Sequence, residues 1–284
     1  MAFRRTILGG ATGSNPVGSI NFSFQTFKNY IKSLLQKHLT MSYPILYVTD
    51  VHGDEAVYEA LLDKAIKHKV KAVIIGGDAT PLMAIYAVNS IQIQRNFLQM
   101  YFIPLLENFR KISKIEVFIM MGNDDFKLNM DVLEKAEKKG ILKVMHEKVN
   151  KIGGWNIVGY SCINPSDFLI FPIQDWVKKE EDILKDLEKI TKTLDPKKTI
   201  LSVHPPPKNT NLDVLYDGNH VGSRSLREFI ENKQPYLVLS GHIHESPTMS
   251  GKIKDTIGKT LCIQPGNAKV TLIDLDEPEK VKRV

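Results

Sequence analysis

Eight side chains of the ligating and proton-transferring types stand out: Asp50, His52, Asp78, Asn123, Asp124, His204, His242 and His244. Carboxylates and imidazoles hold cations and move protons at neutral pH. Taken singly, each has an ordinary explanation. An Asp after a strand caps the next helix, and a lone His is a satisfied core or surface residue. An Asp-x-His or His-x-His pair faces one side only where the backbone stays extended. Repetition changes the weighing, because five apolar runs, in chain order, each end in such a group.

Those runs are the elements that must position the chemistry. Strand-like segments are expected at Pro44–Thr49, Lys71–Gly76, Glu116–Met121, Leu142–Met145, Trp155–Tyr160, Thr199–Val203, Tyr236–Leu239, Leu261–Ile263 and Val270–Leu275. Helical patterns lie between them: Glu55–His68, Ile85–Phe109 with a break near Pro104, Asp131–Lys139, Asp175–Leu194 and Ser225–Asn232. This alternation predicts an α/β domain. In open α/β sheets, ligand sites form where loops leave the carboxyl ends of the strands. Asp50 and His52 follow the first run, Asp78 the second, and Asn123 and Asp124 the third. His204 follows Thr199–Val203, and His242 and His244 follow Tyr236–Leu239.

In this order the residues resemble the calcineurin-like binuclear metallophosphoesterases, whose pattern is D-x-H, G-D, G-N-H-[DE], a lone His and G-H-x-H. Here it reads Asp50-Val51-His52, Gly77-Asp78, Gly122-Asn123-Asp124-Asp125, His204 and Gly241-His242-Ile243-His244. The resemblance covers residues 44 to about 270. It implies a sandwich of two mixed β-sheets flanked by helices, with the metal site at the carboxyl ends of the strands. It also implies that Asp50, His52, Asp78 and His244 hold one divalent ion. Asp78, Asn123, His204 and His242 would hold a second, with Asp78 bridging. Oxygen and imidazole ligands without thiolate suit manganese, iron, zinc, cobalt or nickel. Two ions about 3.5 to 4 Å apart lower the pKa of a shared water toward 7. The implied reaction is hydrolysis of a small phosphoester, either a monoester or a diester. The alternative is a scaffold of the same fold that binds partner proteins without catalysis. Since decay of a site removes ligands and all of them are present, the enzyme reading is preferred.

One position departs from the pattern. Asp124 stands where the family commonly has a His that assists the leaving group. A carboxyl donates a proton only while protonated, which nearby cations oppose. A replacement is offered by Asp217-Gly218-Asn219-His220-Val221-Gly222-Ser223-Arg224, where His220 could donate a proton and Arg224 could clamp phosphate beside the amides of a helix start. The expected site therefore comprises Asp124 and His220 as catalytic groups, with Asn123 and Arg224 contacting the substrate phosphate. The prolines at 205 to 207 and the Phe168–Phe171 segment could border a substrate pocket or simply pack.

The 284-residue, 32.1 kDa chain is large enough to bury a core without disulfides, and its 43% hydrophobic and 25% charged residues are those of a globular protein. No apolar run reaches the length of a membrane span. The net charge of +6 is concentrated in residues 1–40, where Arg4, Arg5, Lys28, Lys32 and Lys37 meet no acid. The remaining residues carry 33 basic and 32 acidic side chains, a balance that argues against long nucleic acid as a partner. Cys162 and Cys262, far apart and outside any CxxC pair, fit buried thiols in a reducing, cytoplasmic setting.

Two segments are thus expected, a basic leader at 1–40 and a single domain at 41–284. The leader contains an amphipathic stretch, Phe24–Leu39, compatible with a presequence or a contact helix. A misassigned start is the preferred reading, because Met41 directly precedes the first strand. Gly13-Ser14-Asn15-Pro16 also matches one reading frame of the T arm of transfer RNA genes. The glycines of Thr6–Gly13 imitate a dinucleotide-binding turn, but Pro16 and a polar run occupy the place of its helix.

Overall fold

In the computed structural model, residues 42–82, 89–165 and 175–284 are described. The leader, the start of the expected helix at Ile85 and the Phe168–Phe171 segment lie outside them. The first sheet contains β1 (Pro44–Val48), β2 (Ala72–Gly76), β3 (Glu116–Met120), β4 (Lys143–Val144), β11 (Thr271–Asp274) and β12 (Lys282–Arg283), in the order β12-β11-β1-β2-β3-β4. The second contains β5 (Val149–Ile152), β6 (Trp155–Tyr160), β7 (Thr199–Val203), β8 (Leu237–Leu239), β9 (Lys254–Ile257) and β10 (Thr260–Ile263), in the order β5-β6-β7-β8-β10-β9. β1, β2 and β3 run parallel, as do β6, β7, β8 and β10.

Alternation along each strand builds two cores, since successive side chains point to opposite faces. Ile45 and Tyr47 of β1 join Ile74, Phe118, Ile157, Ile200, Leu239 and Ile263 in one buried cluster. The residues between them, Leu46 and Val48, join Val73 and Ile75 in another that includes Leu61, Phe102, Leu187 and Phe229 from helices. Both faces of the central strands are therefore buried, which explains their near-continuous apolar sequence. The helices are α1 (Glu55–Lys67), α2 (Ser90–Asn96), α3 (Ile103–Ile112), α4 (Met130–Lys138), α5 (Glu180–Thr191), α6 (Arg224–Lys233) and the short α7 (Ser246–Met249).

Three differences from the sequence expectations have physical reasons. The helix around Pro104 does not break. A π-helical stretch, Phe97–Phe102, carries the path from α2 into α3, with the Ile103 amide bonding the Leu98 carbonyl. The wider turn absorbs a proline that lacks the donor an α-helix requires. Second, α5 begins at Glu180 rather than near Asp175. Residues 176 to 178 are held extended by Ile163, whose amide bonds the Trp176 carbonyl at 2.8 Å and whose carbonyl accepts from Lys178 at 3.0 Å. Third, β5, β9 and β12 were not anticipated. They are edge strands with polar sequences, and their ladders are set by a neighbour rather than by an apolar pattern.

Cys162 and Cys262 are buried and free. No helix of the described residues is long and apolar enough to cross a membrane.

Candidate metal centre

The carboxyl ends of the parallel strands meet at one edge, and backbone hydrogen bonds tie their loops together. The amide of Asp50 bonds the Gly77 carbonyl at 3.0 Å, that of His52 the Asp78 carbonyl at 2.9 Å, and that of Gly241 the His204 carbonyl at 2.9 Å. Asp50, His52, Asp78 and His242 all have positive φ, between 47° and 67°. Non-glycine residues in this region are strained by about 1 kcal/mol or more each. Here the left-handed backbone turns four ligand-type residues off the ends of three strands.

The side chains converge. Asp50, His52, Asp78 and His244 each offer one atom, and those atoms lie within 4.8 Å of one another. His52 Nε2 is 3.3 Å from His244 Nε2, and His244 Nε2 is 3.5 Å from Asp50 Oδ1. Alongside, His204 Nε2 stands 3.2 Å from Asp78 Oδ2 and 3.0 Å from Asn123 Oδ1. The rings of His204 and His242 are 5.4 Å apart, and the His242 amide donates to both Asp50 oxygens. The structure therefore brings all seven expected ligand residues into one cluster. Asp124 sits at its margin, its carboxylate 4.0 Å from His52 Nδ1.

The electrostatics of the cluster call for positive charge. Burial disfavours ionised Asp78, yet the His204 charge and hydrogen bond, with support from His52, keep its pKa below the ordinary value. Burial likewise disfavours a charged His204, but Asp78 and Asp50 push it up to about 10. His242 is driven down to about 4 by burial and then by the neighbouring His204 charge. Burial and the Asp78 charge raise Asp124 to about 7, although 34% of its side chain remains exposed and water tempers the effect. Two fully buried carboxylates thus draw a proton onto an imidazole. The buried His52 Nδ1 has no hydrogen-bond partner among the described residues, while Nε2 faces another imidazole nitrogen. Buried acceptors and imidazoles aimed at one point are the donor set of a divalent cation, so the residues fit the expected metal.

Several supporting residues carried no role in the sequence reading. The Asp125 carboxylate accepts from the amides of Ala79, Thr80 and Gly122 at 2.8 to 3.0 Å, clasping the loops after β2 and β3. Buried Gln94 of α2 donates to the carbonyls of Pro81 and Asp124 and accepts from the Phe126 amide. Asp125 was visible as the last position of its motif, but nothing in the sequence marked Gln94.

The helix-start amides expected to form a phosphate cradle at α6 are already bonded within the chain. Glu180 occupies that cradle, accepting from the Ser223 hydroxyl at 2.6 Å, the Arg224 amide at 2.8 Å and the Ser225 amide at 3.0 Å. A carboxylate of the chain itself has taken the helix-start amides that a phosphate would need. His220 and Arg224 make no hydrogen bond or ion pair with the cluster among the described residues; His220 bonds Asp213. The three prolines after His204 are buried, and the Pro206 carbonyl accepts from the Ser223 amide.

Two mixed sheets whose parallel strands pool buried carboxylates and imidazoles at their loop ends define a metallophosphoesterase-type fold and site. The model of the calcineurin-like phosphoesterase family matches residues 43–246, and the chain belongs to that family. Solved structures agree at the level of fold. The protein TT1561 of Thermus thermophilus is 16% identical with a TM-score of 0.63, covering 86% of this chain and 99% of its own. A dimetal phosphatase from Danio rerio is 10% identical with a TM-score of 0.55, covering 82% of this chain and 92% of its own. No curated protein sequence matches the chain.

Proposed function

We propose that this chain hydrolyses small phosphate esters with two divalent ions. Asp50, His52, Asp78 and His244 would hold one, and Asp78, Asn123, His204 and His242 the other. The observation that carries the reading is the convergence of fully buried Asp50 and Asp78 with four inward imidazoles on a strained backbone. When bound, such ions lower the pKa of water and offset charge on phosphoryl oxygens.

The chain's own groups set the geometry. His204 Nδ1 is 3.0 Å from the Gly76 carbonyl, which fixes the tautomer and turns Nε2 inward. Asn123 Nδ2 donates to Asp124 Oδ1 at 2.9 Å, so its Oδ1 faces the cluster, beside the expected position of the phosphate. Asp124 thereby orients Asn123, while its carboxylate stands 4.0 Å from His52 Nδ1, beyond hydrogen-bond reach. Two free, buried thiols support a reducing, cytoplasmic setting.

The test is metal reconstitution, manganese first, followed by assay on bis(p-nitrophenyl) phosphate and p-nitrophenyl phosphate with Asp78→Ala as control. Turnover that needs the ion and disappears in the variant is expected. A folded protein that binds metal and hydrolyses neither ester would favour the scaffold reading.

A further inference from the structure

Ester hydrolysis leaves an alkoxide or phenoxide that needs a proton, and the proposed function assigns all four clustered imidazoles to the metal ions. Of the described histidines outside that cluster, two are placed for other work. His68 caps the far end of the 13-residue α1, about 20 Å along the helix from its start beside the site. His146 is mostly buried and accepts from the Ser161 amide at 3.1 Å.

His220 differs. Its Nδ1 lies 2.7 Å from Asp213 Oδ1, and its side chain is 37% exposed while Asp213 is fully buried. Asp213 cannot swing away, because it also accepts from the amides of Asn209 at 3.0 Å, Thr210 at 2.8 Å and Gly222 at 3.0 Å. An imidazole fixed at Nδ1 by an anchored carboxylate has Nε2 left to meet a ligand.

The loop bearing this pair is laced to the rim of the centre on three sides. Ser223 bonds Pro206, two residues beyond His204, at 2.9 Å. Val214, which bridges His220, donates to the Ser246 hydroxyl at 3.0 Å, two residues beyond His244. Asn164, in the loop that follows β6, donates to Val221 at 3.2 Å. Bonds from loops leaving β6, β7 and β8, two of which carry cluster residues, therefore hold the His220 segment at the rim of the centre, with residues 216–220 themselves exposed.

We infer that His220, positioned by Asp213, is the proton donor to the leaving oxygen, an assignment that rests on the phosphoester reading above. With Nδ1–H donated to Asp213, the ring gives its proton as the imidazolium: as the bond from phosphorus to the leaving oxygen breaks and one to the water oxygen forms, the Nε2 proton passes to the departing oxygen and leaves His220 neutral. The proton shed by water restores His220 through solvent. The products are a free alcohol or phenol and the phosphate. A site so equipped handles esters of poorly acidic alcohols, not only activated aryl esters.

The experiment compares metal-loaded wild type, His220→Gln and Asp213→Asn on aryl phosphates graded in leaving-group pKa from p-nitrophenyl to phenyl, in whichever of the mono- or diester series wild type hydrolyses. Metal content and circular dichroism are measured on each protein. For His220→Gln, wild-type metal content is expected, with less than about tenfold loss on the p-nitrophenyl ester and about 10²- to 10⁴-fold loss on the phenyl ester. The plot of log kcat against leaving-group pKa should steepen. Asp213→Asn should steepen it in the same sense, a change that loosening of the loop alone would not produce. Parallel plots for folded variants would overturn the assignment and leave the hydrolase reading intact. Wild type inactive with every ion would end both.

Discussion

Gly122 sits where the loop after β3 crosses Asp78 and His204, and a Cβ there would lie 2.5 Å from the Asp78 amide nitrogen and 2.7 Å from His204 Cε1. Neither neighbour can yield without moving a cluster residue, so Gly122→Ala is expected to fold yet lose most of its metal affinity, as calorimetric titration with manganese would show. Asp125 offers a second test at this scale. An Asn there has one acceptor oxygen for amides that now share two, and its NH₂ group faces donors. Asp125→Asn should cost about 1–3 kcal/mol in urea unfolding and weaken metal binding by loosening both loops. Wild-type values for both would show that the clasp does not position the site. The cluster residues were legible in sequence because their spacing follows the strand ends. The left-handed backbone at Asp50, Asp78 and His242 and the reach of Gln94 were not, because they arise from contacts between distant loops.

Elements were legible where burial writes a pattern. β1, β2, β6 and β7 are apolar because they are covered on both faces, and they appear within a residue of the expected places. β5, β9 and β12 lie at or beside sheet edges, where one partner and solvent impose little pattern, and they were missed. The start of α6 shows why helix ends are hard to read for function. Free amides after Gly222 suggested an anion site, and only the fold reveals that Glu180 of α5 supplies the anion. Glu180→Ala should therefore lower stability by about 1–2 kcal/mol, by loss of charge-assisted bonds at a helix N-terminus, with kcat and KM unchanged. A rise in KM with unchanged stability would instead restore Arg224 and these amides as a phosphate clamp.

Across the whole molecule, acid sensitivity should trace in part to a group remote from the metal cluster. His146 follows β4, packs edge-on against Trp176 at 4.8 Å between ring centres, and accepts from the Ser161 amide. Burial lowers its pKa to about 4; Glu147 opposes that shift, and Lys127 and Lys178 reinforce it. The unfolded chain, with a histidine near 6.5, then binds more protons than the native state between those two values. The sign follows: His146 contributes no penalty above pH 6.5, and stability falls as pH drops through the window from 6.5 to 4. The loss reaches about 2 kcal/mol by pH 5 and about 3 kcal/mol at the lower limit. His146→Asn keeps an acceptor for Ser161 but does not titrate. It should be less stable than wild type at pH 7, because a ring is removed from the core, yet lose less between pH 7 and pH 5 in urea unfolding. Trp176 also donates to the Asp125 carbonyl at 2.7 Å, so protonation of His146 presses on a ring that touches the loop clasp. Equal losses in the two proteins would place the acid sensitivity elsewhere and leave the His146–Trp176 contact as packing alone.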